Sequence, residues 1–111
     1  MEIEGKGKLL KIFIGEDDHY QHEPLYHAII KVLKENGMAG GTVIKGIEGF
    51  GANSRIHSAR ILRLSEDLPV MIEVVDRAEK IASILPLLRE MVNDGLIVIQ
   101  DCEVILYSHQ G

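Results

Sequence analysis

Apolar segments of strand and helix period follow one another along the chain, and the order in which their periodicity changes restricts the fold more than any other feature. Leu9 to Ile14 reads as a strand closed by Gly15. Pro24 then stands where a helix accepts its first residue. Leu25, Ala28, Ile29, Val32 and Leu33 keep the i, i+3, i+4, i+7, i+8 spacing of one buried helical face, and Asn36-Gly37 ends that helix. Thr42 to Ile47 predicts a second strand and Leu68 to Val75 a third. Asp76 offers an N-cap, with Glu79 three residues on, to a second helix from about Arg77 to Val92. Its apolar side would be Ala78, Ile81, Ala82, Leu85, Leu88 and Val92, with a kink at Pro86. After Asn93-Asp94-Gly95, Leu96 to Ile99 gives a fourth strand, and Glu103 to Leu106 a short fifth.

This order is the split βαβ plan. It predicts one α+β domain over residues 1–111 with the ferredoxin-like βαββαβ architecture, an antiparallel sheet carrying both helices on one face. The other face should alternate to polar residues if it met water. Instead, Leu9 and Phe13 oppose Leu10, Ile12 and Ile14, while Met71 and Val75 oppose Val70, Ile72 and Val74. A sheet apolar on both faces predicts that the uncovered one meets other subunits. Lys11 and Glu73 are the exceptions, and in this strand order they can pair across the sheet.

The composition agrees with a single core. A chain of 111 residues has no room for two, and with no Trp and 5% aromatic residues that core must be aliphatic. The net charge of −5 argues against nucleic acid or an anionic membrane as the main partner. Cys102 is the single cysteine, so no intrachain disulfide can form. Its simplest role is that of a small buried hydrophobe. No apolar run reaches membrane-spanning length, so no membrane insertion is expected, and a cytoplasmic location is.

From about 48 to 67 the periodicity dissolves into a long connection. Three of the five arginines, Arg55, Arg60 and Arg63, fall there with His57, in an otherwise acidic protein. Closely spaced glycines let backbone amides converge on an anion, and arginines hold phosphate oxygens in bidentate fashion. By composition alone a solvated basic loop is the simpler account of the segment.

The run Gly40-Gly41-Thr42-Val43-Ile44-Lys45-Gly46-Ile47-Glu48-Gly49-Phe50-Gly51, followed by Leu68-Pro69-Val70-Met71-Ile72-Glu73-Val74-Val75-Asp76, resembles the PII superfamily of signalling proteins. Within it, the chain is most similar to the PII-like family called domain of unknown function 190. Pro24-Leu25-Tyr26 and Leu64-Ser65-Glu66-Asp67-Leu68-Pro69 add to the likeness, which runs from about Leu9 to Ile99. The resemblance implies a homotrimer with its sheets facing inward, a flexible loop between the second and third strands, and ligand clefts between subunits at that loop's base. It implies an adenine nucleotide there, close to Gly49, Phe50 and Gly51.

The sequence departs from the PII pattern in three places. Asn93-Asp94-Gly95-Leu96 has one glycine and no phosphate-holding lysine, no Lys or Arg lies between Glu103 and Gly111, and the loop has no Tyr to be uridylylated. The expected ligand is therefore a nucleotide with fewer phosphates, or another small anionic metabolite, held by Arg55, His57, Arg60 and Arg63.

Other chemistry is weaker in the sequence. His19, His22 and His27 lie near Glu16, Asp17 and Asp18, but Pro24 breaks the helical spacing and no cysteine assists, so a polar turn is the simpler account. Ser54, Ser58 and Ser65 lack a nucleophile-elbow context. Tyr26 and Phe50 can each stack on a base or pack at an edge. The expected function is a non-enzymatic sensor whose loop is ordered by the metabolite and regulates a protein partner such as a membrane transporter or channel. The alternatives are a small trimeric enzyme using the same cleft, with His57 as acid–base, and a divalent-metal-binding protein of the cation-tolerance type centred on His19 and His22.

Overall fold

The computed structural model describes residues 2–51, 57–58 and 67–109. β1 (Glu2–Gly15) lies in the middle of a four-stranded antiparallel sheet, between β7 (Pro69–Asp76) and β8 (Leu96–Ser108). β4 (Thr42–Lys45) completes it in the order β4-β7-β1-β8. Two-residue pairs stand apart from this sheet: β2 (His19–Tyr20) with β3 (Glu23–Pro24), and β5 (Glu48–Gly49) with β6 (His57–Ser58). Helices α1 (Leu25–Glu35) and α2 (Ala78–Met91) pack on one face of the sheet.

The core follows from side-chain alternation. Leu10, Ile12 and Ile14 of β1 and Val70, Ile72 and Val74 of β7 point to the helices and are buried. They meet Leu25, Ala28, Ile29 and Leu33 of α1 and Ile81, Ile84, Leu88 and Met91 of α2. The predicted α1 face is the buried one, and Gly37 takes the left-handed φ of 75° that ends the helix. The α2 stripe is rotated from its prediction. Ala78 and Ala82 are exposed, whereas Ile84 and Met91 reach the core.

Partners in register share the opposite face. Leu9 lies across from Val75, Phe13 from Met71 and Leu96, and Ile44 from Met71. Lys11 lies across from Glu73, as predicted, and Glu73 also faces Thr42. No element among the described residues covers this face: Phe13 keeps 37% of its surface and Ile44 46%.

Three expected boundaries differ. β1 begins at Glu2 rather than Leu9, because Ile3 to Gly7 pair with the far half of β8. The same pairing joins the expected fourth and fifth strands into one strand of 13 residues. A bulge between Ile3 and Gly5, with Gly5 at φ 88°, bends this ribbon. There Ile3 becomes buried, and the Tyr107 hydroxyl donates to the Ala39 carbonyl at 2.8 Å. β4 stops at Lys45, two residues short of Ile47.

The cap of α2 also differs. Asp76 is the last residue of β7, is 3% exposed, and makes no capping box with Glu79; Arg77 occupies the N-cap position without a side-chain cap bond. The Asp76 carboxylate instead accepts from the Ala39 amide at 2.8 Å and from the Arg77 amide at 2.7 Å. Pro86 lies inside α2, where it has no amide to donate.

Candidate functional site

The two feet of the long connection meet at the end of the sheet where β4 stops and β7 begins. On the first foot, the Gly46 amide donates to the Pro69 carbonyl at 2.7 Å, which brings the chain against the proline ring. A Cβ on Gly46 would stand 2.7 Å from Pro69 Cγ, and one on Gly49 would stand 2.9 Å from it. Both glycines are thus required by close approach to Pro69. Beyond them, Glu48 pairs with Ser58 and Gly49 with His57.

The second foot is tied to the turn after β1. The Glu16 amide donates to the Leu68 carbonyl at 2.8 Å, and the Asp17 amide to Asp67 Oδ1 at 2.7 Å. Within that turn, the Gly15 amide donates to Asp18 Oδ2 at 2.9 Å, while the Leu25 amide donates to the Asp18 carbonyl at 2.8 Å and links the turn to α1. Lys45 Nζ lies 2.8 Å from Glu16 Oε2 and joins the two feet. The connection therefore leaves the sheet from a closed base.

Gly49, Phe50 and Gly51 occur at this base. Phe50 is 75% exposed and Ile47 78%, so two large apolar side chains stand in solvent beside the base. An exposed ring next to backbone amides can stack on a planar ligand. The His57 backbone lies across from Gly49. Arg55, Arg60 and Arg63 lie outside the described residues. Closely spaced glycines can form an anion cradle; at Gly49 the structure shows another use, room for Pro69.

Local spacing does not single out Lys45, Glu16, Asp67 or Pro69 as site residues. They come together only through the crossing of β1, β4 and β7, and the one signal in sequence is their position at strand ends. Among the described residues, Lys45 is the cation of this base, and Glu16, Asp17, Asp18, Glu48 and Asp67 are its carboxylates.

The histidine-rich turn is organised otherwise. His19 Nδ1 lies 2.7 Å from the Asp17 carbonyl oxygen, which makes Nδ1 the donor, and His27 Nε2 is 3.9 Å from Glu23 Oε1. Gln21, at φ 57°, turns β2 into β3. Among the described residues no three or more His, Cys, Asp or Glu side chains converge as a metal would require. Nor does any helix among them have the length and apolarity to cross a membrane.

Four antiparallel strands with two helices on one face and a long connection between β4 and β7 define a ferredoxin-like fold of the PII-like kind. Solved structures share this fold at low identity. A nitrogen regulatory PII-like protein from Thiomonas intermedia K12, CPII bound to ADP, AMP and bicarbonate, superposes with a TM-score of 0.69 at 17% identity, covering 89% of this chain and 88% of that one. A putative PII-like signaling protein from Thermus thermophilus, TTHA0516, does so with a TM-score of 0.65 at 17% identity, covering 91% of each chain. The family model DUF190, described as Uncharacterized ACR, matches residues 7–104. The chain belongs to the DUF190 family. Its relative UPF0166 protein MJ1524 from Methanocaldococcus jannaschii is 47% identical over 100 residues, covering 89% of this chain and 92% of the relative.

Proposed function

We propose that this protein is a non-enzymatic, trimeric sensor that binds an adenine nucleotide between subunits at the base of the connection and signals to a partner protein through that connection. The observation that carries the reading is the closed base itself. The Gly49-Phe50-Gly51 run leaves it with an exposed aromatic ring, at the rim of a sheet face that no element among the described residues covers. Three such faces packed inward would bury Phe13, Met71 and Leu96 and would bring each base against a neighbour. A cleft formed that way is a common place for a small ligand. CPII, with the same fold, was solved with ADP and AMP, which supports this ligand class. Arg55, His57, Arg60 and Arg63 are the residues proposed to take the phosphates, and Phe50 the base.

Calorimetry with AMP, ADP, ATP and cyclic AMP tests the reading. Binding tighter than millimolar is expected, weakened by Phe50→Ala and by at least one of the three Arg→Ala changes, and weakened by salt. The nucleotide should be recovered unchanged after incubation. Absence of binding to all four nucleotides would remove this function, and steady turnover would make the protein an enzyme instead.

A further inference from the structure

We propose that Lys45 is a phosphate-binding residue of this base and that Glu16 is the internal anion with which the ligand exchanges. The inference rests on the nucleotide reading and adds a residue and a signal to it. Lys45 ends β4 at the mouth of the connection, and its ammonium lies 2.8 Å from Glu16 Oε2. The lysine side chain is 55% exposed and the glutamate 31%, so an incoming anion can reach the pair from solvent. A half-exposed ion pair of this kind is weak. A diphosphate carries more charge and more acceptor oxygens than one carboxylate, so it competes well for the same ammonium.

The charge among the described residues sets Glu16 in competition with an incoming anion. Glu16, Asp17, Asp18, Glu48 and Asp67 lie around the base, and Lys45 is the cation among its described residues. While Lys45 is neutralised by Glu16, it adds little to the attraction that the proposed arginines exert on phosphate. Contact with Lys45 means that the ammonium turns from Glu16 to the ligand, which frees the Glu16 carboxylate. That event is readable elsewhere, because the Glu16 amide holds the Leu68 carbonyl and the neighbouring Asp17 amide holds Asp67. Occupancy at one foot of the connection is thus transmitted to the clamp on the other.

The test is side-chain NMR of the lysine ammonium groups on the full chain, with pyrophosphate as one probe and ADP as another. Pyrophosphate is expected to move the Lys45 signal and to speed hydrogen exchange at the Glu16 amide. Lys45→Met should bind it about tenfold more weakly. Glu16→Gln should bind it about threefold more tightly. The second variant decides the matter, since simple damage to the clamp would weaken binding. A Lys45 signal unmoved by millimolar pyrophosphate, or a Glu16→Gln affinity no better than wild type, overturns the exchange. ADP that binds while the Lys45 signal stays put overturns it too, and leaves the nucleotide reading intact. Pyrophosphate that displaces Glu16 when no adenine nucleotide binds upholds the exchange and removes the nucleotide reading.

Discussion

The carboxylate of Asp76 and the amide of Ala39, 37 residues apart in sequence, are joined by a 2.8 Å hydrogen bond that fastens the α1–β4 connection to the end of β7. The carbonyl of the same Ala39 accepts from the Tyr107 hydroxyl, also at 2.8 Å. One residue is therefore held from both sides, by the end of a central strand and by the ribbon of β1 and β8.

Removing the carboxylate should destabilise the fold. Asp76→Ala leaves two amides without their acceptor in a place only 3% exposed, which costs about 3 kcal/mol. Tyr107→Phe, which deletes one neutral bond, should cost about 1 kcal/mol. Urea unfolding measures both, and equal effects of the two changes would contradict the account.

The close packing of the loop foot on Pro69 gives a second expectation. Gly49→Ala puts a methyl group 2.9 Å from Pro69 Cγ, so stability should fall by about 1–3 kcal/mol. Adding Pro69→Ala should recover part of that loss, because the clash is with the ring. A double-mutant cycle with no coupling would show that Gly49 is needed for something else.

The uncovered sheet face leads to a third. Light scattering should give a trimer for the wild-type chain. Phe13→Glu, which sets a carboxylate between Met71 and Leu96, should dissociate or unfold it. A clean wild-type monomer at micromolar concentration would leave that apolar face unexplained.

A fourth concerns pH. The Lys8 ammonium, hydrogen-bonded to Asp101 and close in charge, holds that carboxyl below its ordinary range. A carboxyl depressed in the folded state contributes stability that is present above its unfolded pKa of about 3.9 and is lost as pH falls through the lower folded value. Asp101→Asn should therefore lower the melting temperature slightly at neutral pH and make no difference once the pH is below the folded value. Added salt should shrink the neutral-pH difference, since Asp101 is fully exposed.

How much of this is legible in sequence depends on whether the signal is local. The α1 face and its Gly37 terminator are short-range patterns, and they hold. The first half of β1 has no alternation to read: Gly5, Lys6 and Gly7 become strand because the far half of β8 lies beside them. The expected stripe on α2 runs through Ala78 and Ala82, whose small side chains fit either surface, so the packing and not the period sets the rotation. Asp76 looks like a helix cap in its own neighbourhood, but its partner is Ala39. At the candidate site, Gly49 and Phe50 are visible as a run of types. The pairing of Lys45 with Glu16 depends on β1 and β4 ending at the same edge of the base, which no spacing encodes.

The merging of two expected strands into β8 has one more consequence. Its 13 residues form an outer rim of the sheet and contain no proline, lysine or arginine, the residues that usually discourage a further strand from adding. Leu96, Ile99, Ile105 and Leu106 are exposed along it, and Asp101 and Glu103 are its only charges. With this rim bare, the chain offers a ready template to any extended strand nearby. Covering it, by a second copy or by another chain, would remove that template.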